Sequence, residues 1–187
     1  LFDSFDVEWE EAPAEDRKRI TNELRNVVRP SPNNRILWLR PTVALHNMTK
    51  EPRKPKGLRR LWKYKIGSEP VYLADVPLKD INAAFENRLN NHGYFAARSR
   101  FEVRARGRTA HAVFFVDAGR PHRLRTITYA NDGDTLNARI AASTLRSPLK
   151  PDQLYDLAAL DEERSRVGGT LRNAGWYHLK DDDLVFA

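Results

Sequence analysis

The stretch Arg88–Val103, RLNNHGYFAARSRFEV, runs from a helical pattern through a glycine and two aromatic rings into alternating polar and apolar residues. Thr170–Phe186, TLRNAGWYHLKDDDLVF, repeats that order 82 positions later. At the same offset Leu78 meets Leu160, Asp80 meets Glu162, Leu89 meets Leu171, Asn91 meets Asn173 and Val103 meets Val185. Gly93, Tyr94 and Phe95 meet Gly175, Trp176 and Tyr177. A shared apolar stripe, capping glycine, ring pair and strand indicate a tandem duplication. Each glycine suits a left-handed helix cap. The rings are expected as core anchors between helix and sheet.

Outward from this motif, Leu78, Ile81, Phe85 and Leu89 predict a helix over Leu78–Asn91. Ala97–Ala105 alternates, with Arg98, Arg100, Glu102 and Arg104 on one face and Phe101 and Val103 on the other. A turn at Arg106-Gly107-Arg108 leads into Ala110–Val116, so the pair reads as a hairpin. Toward the N-terminus, Ser4–Glu10 alternates like a strand, and a helix begins near Pro13 with Ile20, Leu24, Val27 and Val28 on one face. Arg29-Pro30-Ser31-Pro32 ends it and opens an insertion at about 29–70. Within the insertion, Asn33–Met48 suggests a short kinked helix or two turns, interrupted at Pro41.

Ala118-Gly119-Arg120-Pro121 is turn chemistry and marks the boundary between modules 1–118 and 119–187. In the second module His122–Tyr129 reads as a strand, and Asp134 can cap a helix carrying Leu136, Ile140, Ala141 and Leu145. Leu157–Asn173 reads as a helix with Leu157, Leu160, Val167 and Leu171 inward, and His178–Phe186 as another strand. The last strand of that module is expected to lie beyond this sequence. Gly168 and Gly169 inside the helix should each cost about 1 kcal/mol relative to alanine. Either a close backbone contact compensates or the helix is locally weak. The expected fold class is α+β: two tandem β-α-α-β-β modules, each a small mixed three-stranded sheet with two helices on one face.

Composition excludes several functions. No apolar run approaches the roughly 20 residues that cross a bilayer, and the surroundings of Leu1 show no charged-then-apolar leader pattern and read as mid-domain, so any targeting signal is expected to lie outside this sequence. Cysteine is absent, which removes disulfide scaffolds and thiolate chemistry. The net charge is +7, yet Thr49–Ile66 alone holds eight basic residues and one acidic one. The remainder carries 24 of each sign, so the folded parts are neutral and whole-domain nucleic-acid binding is disfavoured. The histidines His46, His92, His111, His122 and His178 show no metal spacing, and no phosphate loop or nucleophile elbow occurs. Asp181-Asp182-Asp183 reads as a solvated turn or strand start. No catalytic, cofactor or metal residue is expected, and the chain is not read as an enzyme.

A strand-helix-helix-strand-strand module whose second helix closes on L-x-N-x-G-[YW]-[FY] resembles a POTRA domain. The run LKPDQLYDLAALDEERSRVGGTLRNAGWY resembles the POTRA stretch of outer-membrane assembly factors of the BamA/TamA type. The insertion PNNRILWLRPTVALHN with LWKYKIGSEPV is most similar to the TamA-like members of Bacteroidota. Two departures, Asp152 at the usual loop glycine and Val167-Gly168-Gly169 in the helix, bear on local helix stability and not on the fold. The resemblance implies a non-enzymatic periplasmic scaffold without cofactors, tethered to the outer membrane in front of a C-terminal β-barrel that this chain does not contain. Its partners would be unfolded outer-membrane polypeptides and periplasmic or inner-membrane accessory proteins. It would hold clients partly by strand addition, since an edge strand offers free N–H and C=O groups without demanding a sequence. The candidate edges are the first strands of the hairpins: Arg98, Arg100, Phe101, Val103 and Arg104 in one, Leu184 and Val185 in the other.

The basic segment leaves several readings open. Its second half places Leu58, Leu61, Trp62, Lys65 and Ile66 on one face of a short basic amphipathic helix. Arg59, Arg60, Trp62, Lys63 and Lys65 could rest on anionic lipid or dock an acidic partner, or the segment could be a solvated insertion. The alternative function is a basic αβ nucleic-acid-binding domain that uses residues 49–66, with Trp62 and Tyr64 as stacking groups.

Overall fold

The computed structural model describes residues 1–32, 41–48, 69–129 and 133–186. The patch Arg59, Arg60, Trp62, Lys63 and Lys65 lies outside the described residues. The chain forms two compact units, Leu1–Arg88 with Ala97–Ala118, and Leu89–Ala96 with Gly119–Ala187.

The first unit opens with strand β1 (Phe2–Glu11), helix α1 (Arg17–Val27) and helix α2 (Pro41–Met48). Helix α3 (Leu78–Asn91) follows, then strands β2 (Arg98–Arg106) and β3 (Thr109–Asp117). The fold is α+β with a small mixed three-stranded sheet in the order β1-β3-β2. Central β3 pairs parallel with β1 and antiparallel with β2. The alternation of Ala110, Ala112, Phe114 and Val116 explains its central place: all are buried on one face. A register shift between Phe2 and Ser4 puts Phe2 on the same face as Phe5, Val7 and Trp9. That face carries the helices. Trp9 Nε1 donates to Thr21 Oγ1 of α1 at 3.1 Å, and the Phe85 and Phe114 rings lie 5.0 Å apart. Ile20, Leu24, Ile81 and Phe85 complete this core, each at most 4 % exposed.

The second unit departs from the expected strands. It contains helices α4 (Thr135–Ser143) and α5 (Leu157–Asn173) and, among the described residues, no strand of the sheet. His122–Tyr129 forms a single antiparallel bridge, Arg123 with Leu154. Its first residues bond a loop instead: Leu124 N–H donates to Gln153 O, Asp152 N–H to Leu124 O, and Tyr155 N–H to His122 O. His178–Phe186 is likewise not a strand, and Asp181–Asp183 makes a 3-10 turn. Its backbone is taken locally and by α5. Lys180 N–H donates to Asp183 Oδ2 at 2.8 Å, while Arg172 and Arg164 donate to the carbonyls of Leu179 and Leu184. A β-prone segment becomes a strand only against a neighbour, and none is present among the described residues. The repeated β-α-α-β-β pattern is therefore a full sheet in the first unit and a helix pair in the second.

The repeat motif is placed as follows. Gly93 and Gly175 both take positive φ, 82° and 110°. At Gly93 the space is also closed, because a Cβ would stand 2.9 Å from Tyr155 Cβ and 3.2 Å from His122 O. Tyr94 is buried, whereas Phe95 is half exposed and packs edge-on against His122 and Tyr155 at 5.0 and 4.9 Å. Trp176 is partly buried and Tyr177 is 77 % exposed, so the second rings of both pairs are surface groups and not core anchors. Asp152 adopts φ 63°, the left-handed conformation for which a glycine is the usual residue and which aspartate tolerates.

Candidate functional site

The candidate site is the outer edge of β2. In an antiparallel ladder every second residue turns its N–H and C=O away from the partner strand. Ser99 points outward, because its N–H donates to Glu86 Oε1 at 2.8 Å and its carbonyl accepts from Asn82 Nδ2 at 2.9 Å. Ser99 Oγ adds a tie, 3.0 Å from the Asn82 carbonyl and 3.2 Å from Glu86 Oε1. Asn82 and Glu86 are one helical turn apart on α3, so one side chain reaches each outward group of Ser99. By the same alternation Phe101, Val103 and Ala105 turn their backbone groups outward. These groups have no partner among the described residues. The opposite edge differs, since Phe2 of β1 already donates to Val71 O at 2.8 Å.

The side chains of β2 divide cleanly. Phe101 packs toward Phe114, with centroids 6.2 Å apart, and Val103 is 40 % exposed. On the other face Arg100 lies 4.0 Å over the Phe115 ring and donates to Glu10 and Glu102 at 2.7 Å. Arg104 sits 3.7 Å from Glu102. Arg98, Arg100, Phe101, Val103 and Arg104 thus share one edge strand, brought there by the hairpin. Leu184 and Val185, expected on a second edge, lie in irregular backbone after the Asp181–Asp183 turn.

Sequence reasoning missed two polar arrangements. One is the Asn82–Glu86–Ser99 clamp. Its only sequence signal is an i, i+4 polar pair flanking the apolar stripe of α3. The other lies in the second unit, where Glu163 is 1 % exposed. It accepts from Arg166 Nε and Nη2 at 2.7 Å and from the Tyr129 hydroxyl at 2.6 Å. Burial pushes this carboxyl's pKa up, but the bonds from Arg166 and Tyr129 outweigh it and hold the pKa below the usual glutamate range. Glu163 falls on the inward stripe between Leu160 and Val167, where Ile81 stands in the first repeat. A groove of about 660 Å³ lies beside it, bordered by Ile127, Leu136, Ile140, Val167 and Leu184. No group of histidine, aspartate and glutamate among the described residues could hold a metal ion.

The clamp is rewired in the second repeat. Offset by 82, Asn82 becomes Arg164, Glu86 becomes Gly168 and Ser99 becomes Asp181. The Asp181 carboxylate occupies the room left by the missing Gly168 side chain and accepts from Arg172 at 2.7 Å. This is the close contact that the glycine in mid-helix called for, and no such contact exists at Gly169.

No family model matches this sequence, and no curated protein matches it. Among solved structures, the crystal structure of Haemophilus influenzae BamA POTRA3-5 aligns with 94 % of this chain at 11 % identity and a TM-score of 0.40. The chain spans half the length of that structure.

Proposed function

We propose that this chain is the client-binding part of an outer-membrane assembly factor. It is a non-enzymatic periplasmic scaffold that takes extended polypeptide segments by strand addition at β2. The observation that carries this reading is the open backbone of Phe101, Val103 and Ala105, on a charged edge strand of a small sheet. The POTRA-like motifs at Gly93 and Gly175 support the family, and the insertion ending in LWKYKIGSEPV supports its TamA-like branch.

The test is Val103→Pro. Proline removes an outward donor and leaves the ladder to β3 intact, because Val103 N–H points away from it. Binding of a fluorescent peptide from an unfolded outer-membrane barrel should be lost while circular dichroism is unchanged. Unaltered binding by a folded V103P chain would refute strand addition at this edge.

A further inference from the structure

The open edge of β2 does not run the length of the strand. Ser99 is its first outward residue, and α3 already holds both outward groups there through Glu86 Oε1 and Asn82 Nδ2. A strand arriving at Ser99 meets no free donor or acceptor. Beyond it, Phe101, Val103 and Ala105 offer six, an N–H and a C=O each. Asn82 and Glu86 sit on α3, anchored in the core by Ile81 and Phe85. The clamp is therefore built into the scaffold and is not a loop contact.

The occupant's chemistry follows from the two faces of the open part. On one face lie Phe101 and the 40 % exposed Val103. On the other lie Glu102 and Arg104, flanked by Arg100 before them and Arg106 after them. Arg100 is committed to Glu10 and Glu102, whereas Arg106 makes no ion pair among the described residues, and Arg98 lies on the far side of Ser99. Opposite charges on adjacent strands stabilise pairing, and like charges oppose it.

Resting on the strand-addition reading, we propose that Asn82 and Glu86 form a register stop that confines the client to Phe101–Ala105. The edge so limited selects a short extended segment in which carboxylates alternate with apolar side chains. Neither positioning residue touches the client. Each acts by withholding Ser99.

The experiment uses the whole chain, labelled with nitrogen-15, and end-blocked alternating Val/Glu peptides of five and nine residues. Without peptide, the Ser99 amide should exchange slowly and the Phe101 and Val103 amides fast. Glu86→Ala should make Ser99 fast, and Glu86→Gln, which keeps an acceptor, should leave it slow. Equal exchange at Ser99 and Val103 in the unaltered chain would overturn the clamp before any client is added.

With peptide, Phe101, Val103 and Ala105 should become protected. Lengthening from five to nine residues should change affinity less than about threefold. In Asn82→Ala/Glu86→Ala the longer peptide should bind about tenfold tighter than the shorter, from two added backbone bonds. Alanine favours the helix, so this variant should remain folded by circular dichroism. A tenfold gain with length in the unaltered chain refutes the stop while leaving strand addition standing. Failure of every peptide to protect Phe101 and Val103 refutes both. Equal binding of a Val/Lys series refutes the acidic client.

Discussion

Glu163→Gln should destabilise the second unit by about 2–3 kcal/mol. The carboxylate is almost wholly buried and takes three donors, two from Arg166 and one from Tyr129. The amide keeps one oxygen for Tyr129 and Arg166 Nη2, but sets its own N–H against Arg166 Nε across a 2.7 Å separation. One charge-assisted bond, worth about 1.5–3 kcal/mol, is lost, and a mostly buried guanidinium loses its counterion. Hydrogen exchange of the α5 amides reads this locally. The pH dependence has a definite sign. Because the folded pKa lies below the unfolded one, the stabilisation is complete above the ordinary glutamate value of 4.5 and fades as pH falls through the folded value. The difference between the two proteins should therefore be flat from pH 7 to about 5 and shrink below 4.5. A Gln variant within about 0.5 kcal/mol of the parent at pH 7 would show that the carboxylate charge contributes nothing.

Gly93→Ala should lose at least about 2 kcal/mol, since it combines left-handed strain with contact at Tyr155 and His122, and Gly175→Ala only about 1 kcal/mol, since nothing lies near its Cβ. Equal losses in thermal denaturation would mean that the space at Gly93 is not closed. Gly169→Ala should stabilise α5 by about 0.5–1 kcal/mol, whereas Gly168→Ala should gain nothing, because its Cβ displaces the Asp181 carboxylate from Arg172. Urea midpoints shifted upward by the same amount in both variants would contradict this account of Gly168.

Helices α3 and α5 were legible because their apolar stripes have the period of a helix over many residues, and α3 ends at a glycine with positive φ and little room for a side chain. The hairpin was legible through alternation on both sides of Gly107. The strands expected in the second unit show the limit. HRLRTITY has strand composition, but a strand is a relation between two segments, and its hydrogen-bond partner proved to be the 152–155 loop. Glu163 was invisible for a related reason. The stripe of Leu157, Leu160, Val167 and Leu171 is defined by its apolar members, and a lone charge among them carries no periodic signal. At the candidate site, alternation separates Phe101 and Val103 from the arginines. Which strand is outermost depends on the order β1-β3-β2, a pairing of residues over 100 positions apart. The Ser99 clamp needed that order and the helix position together.

Gly93 also has a bearing on how such an array can be cut and rejoined. The sequence repeat divides at Ala118–Pro121, yet Leu89–Ala96 packs with the residues that follow Gly119. The carbonyl of Gly93 accepts from the His122 amide, and its Cα face is covered by Tyr155. The repeat read from the sequence and the body that holds together are therefore different pieces of chain. Grafting a copy at its sequence boundary would strand a helix end without its seat, and a transplant that carries Leu89–Ala96 along with the downstream copy would keep it.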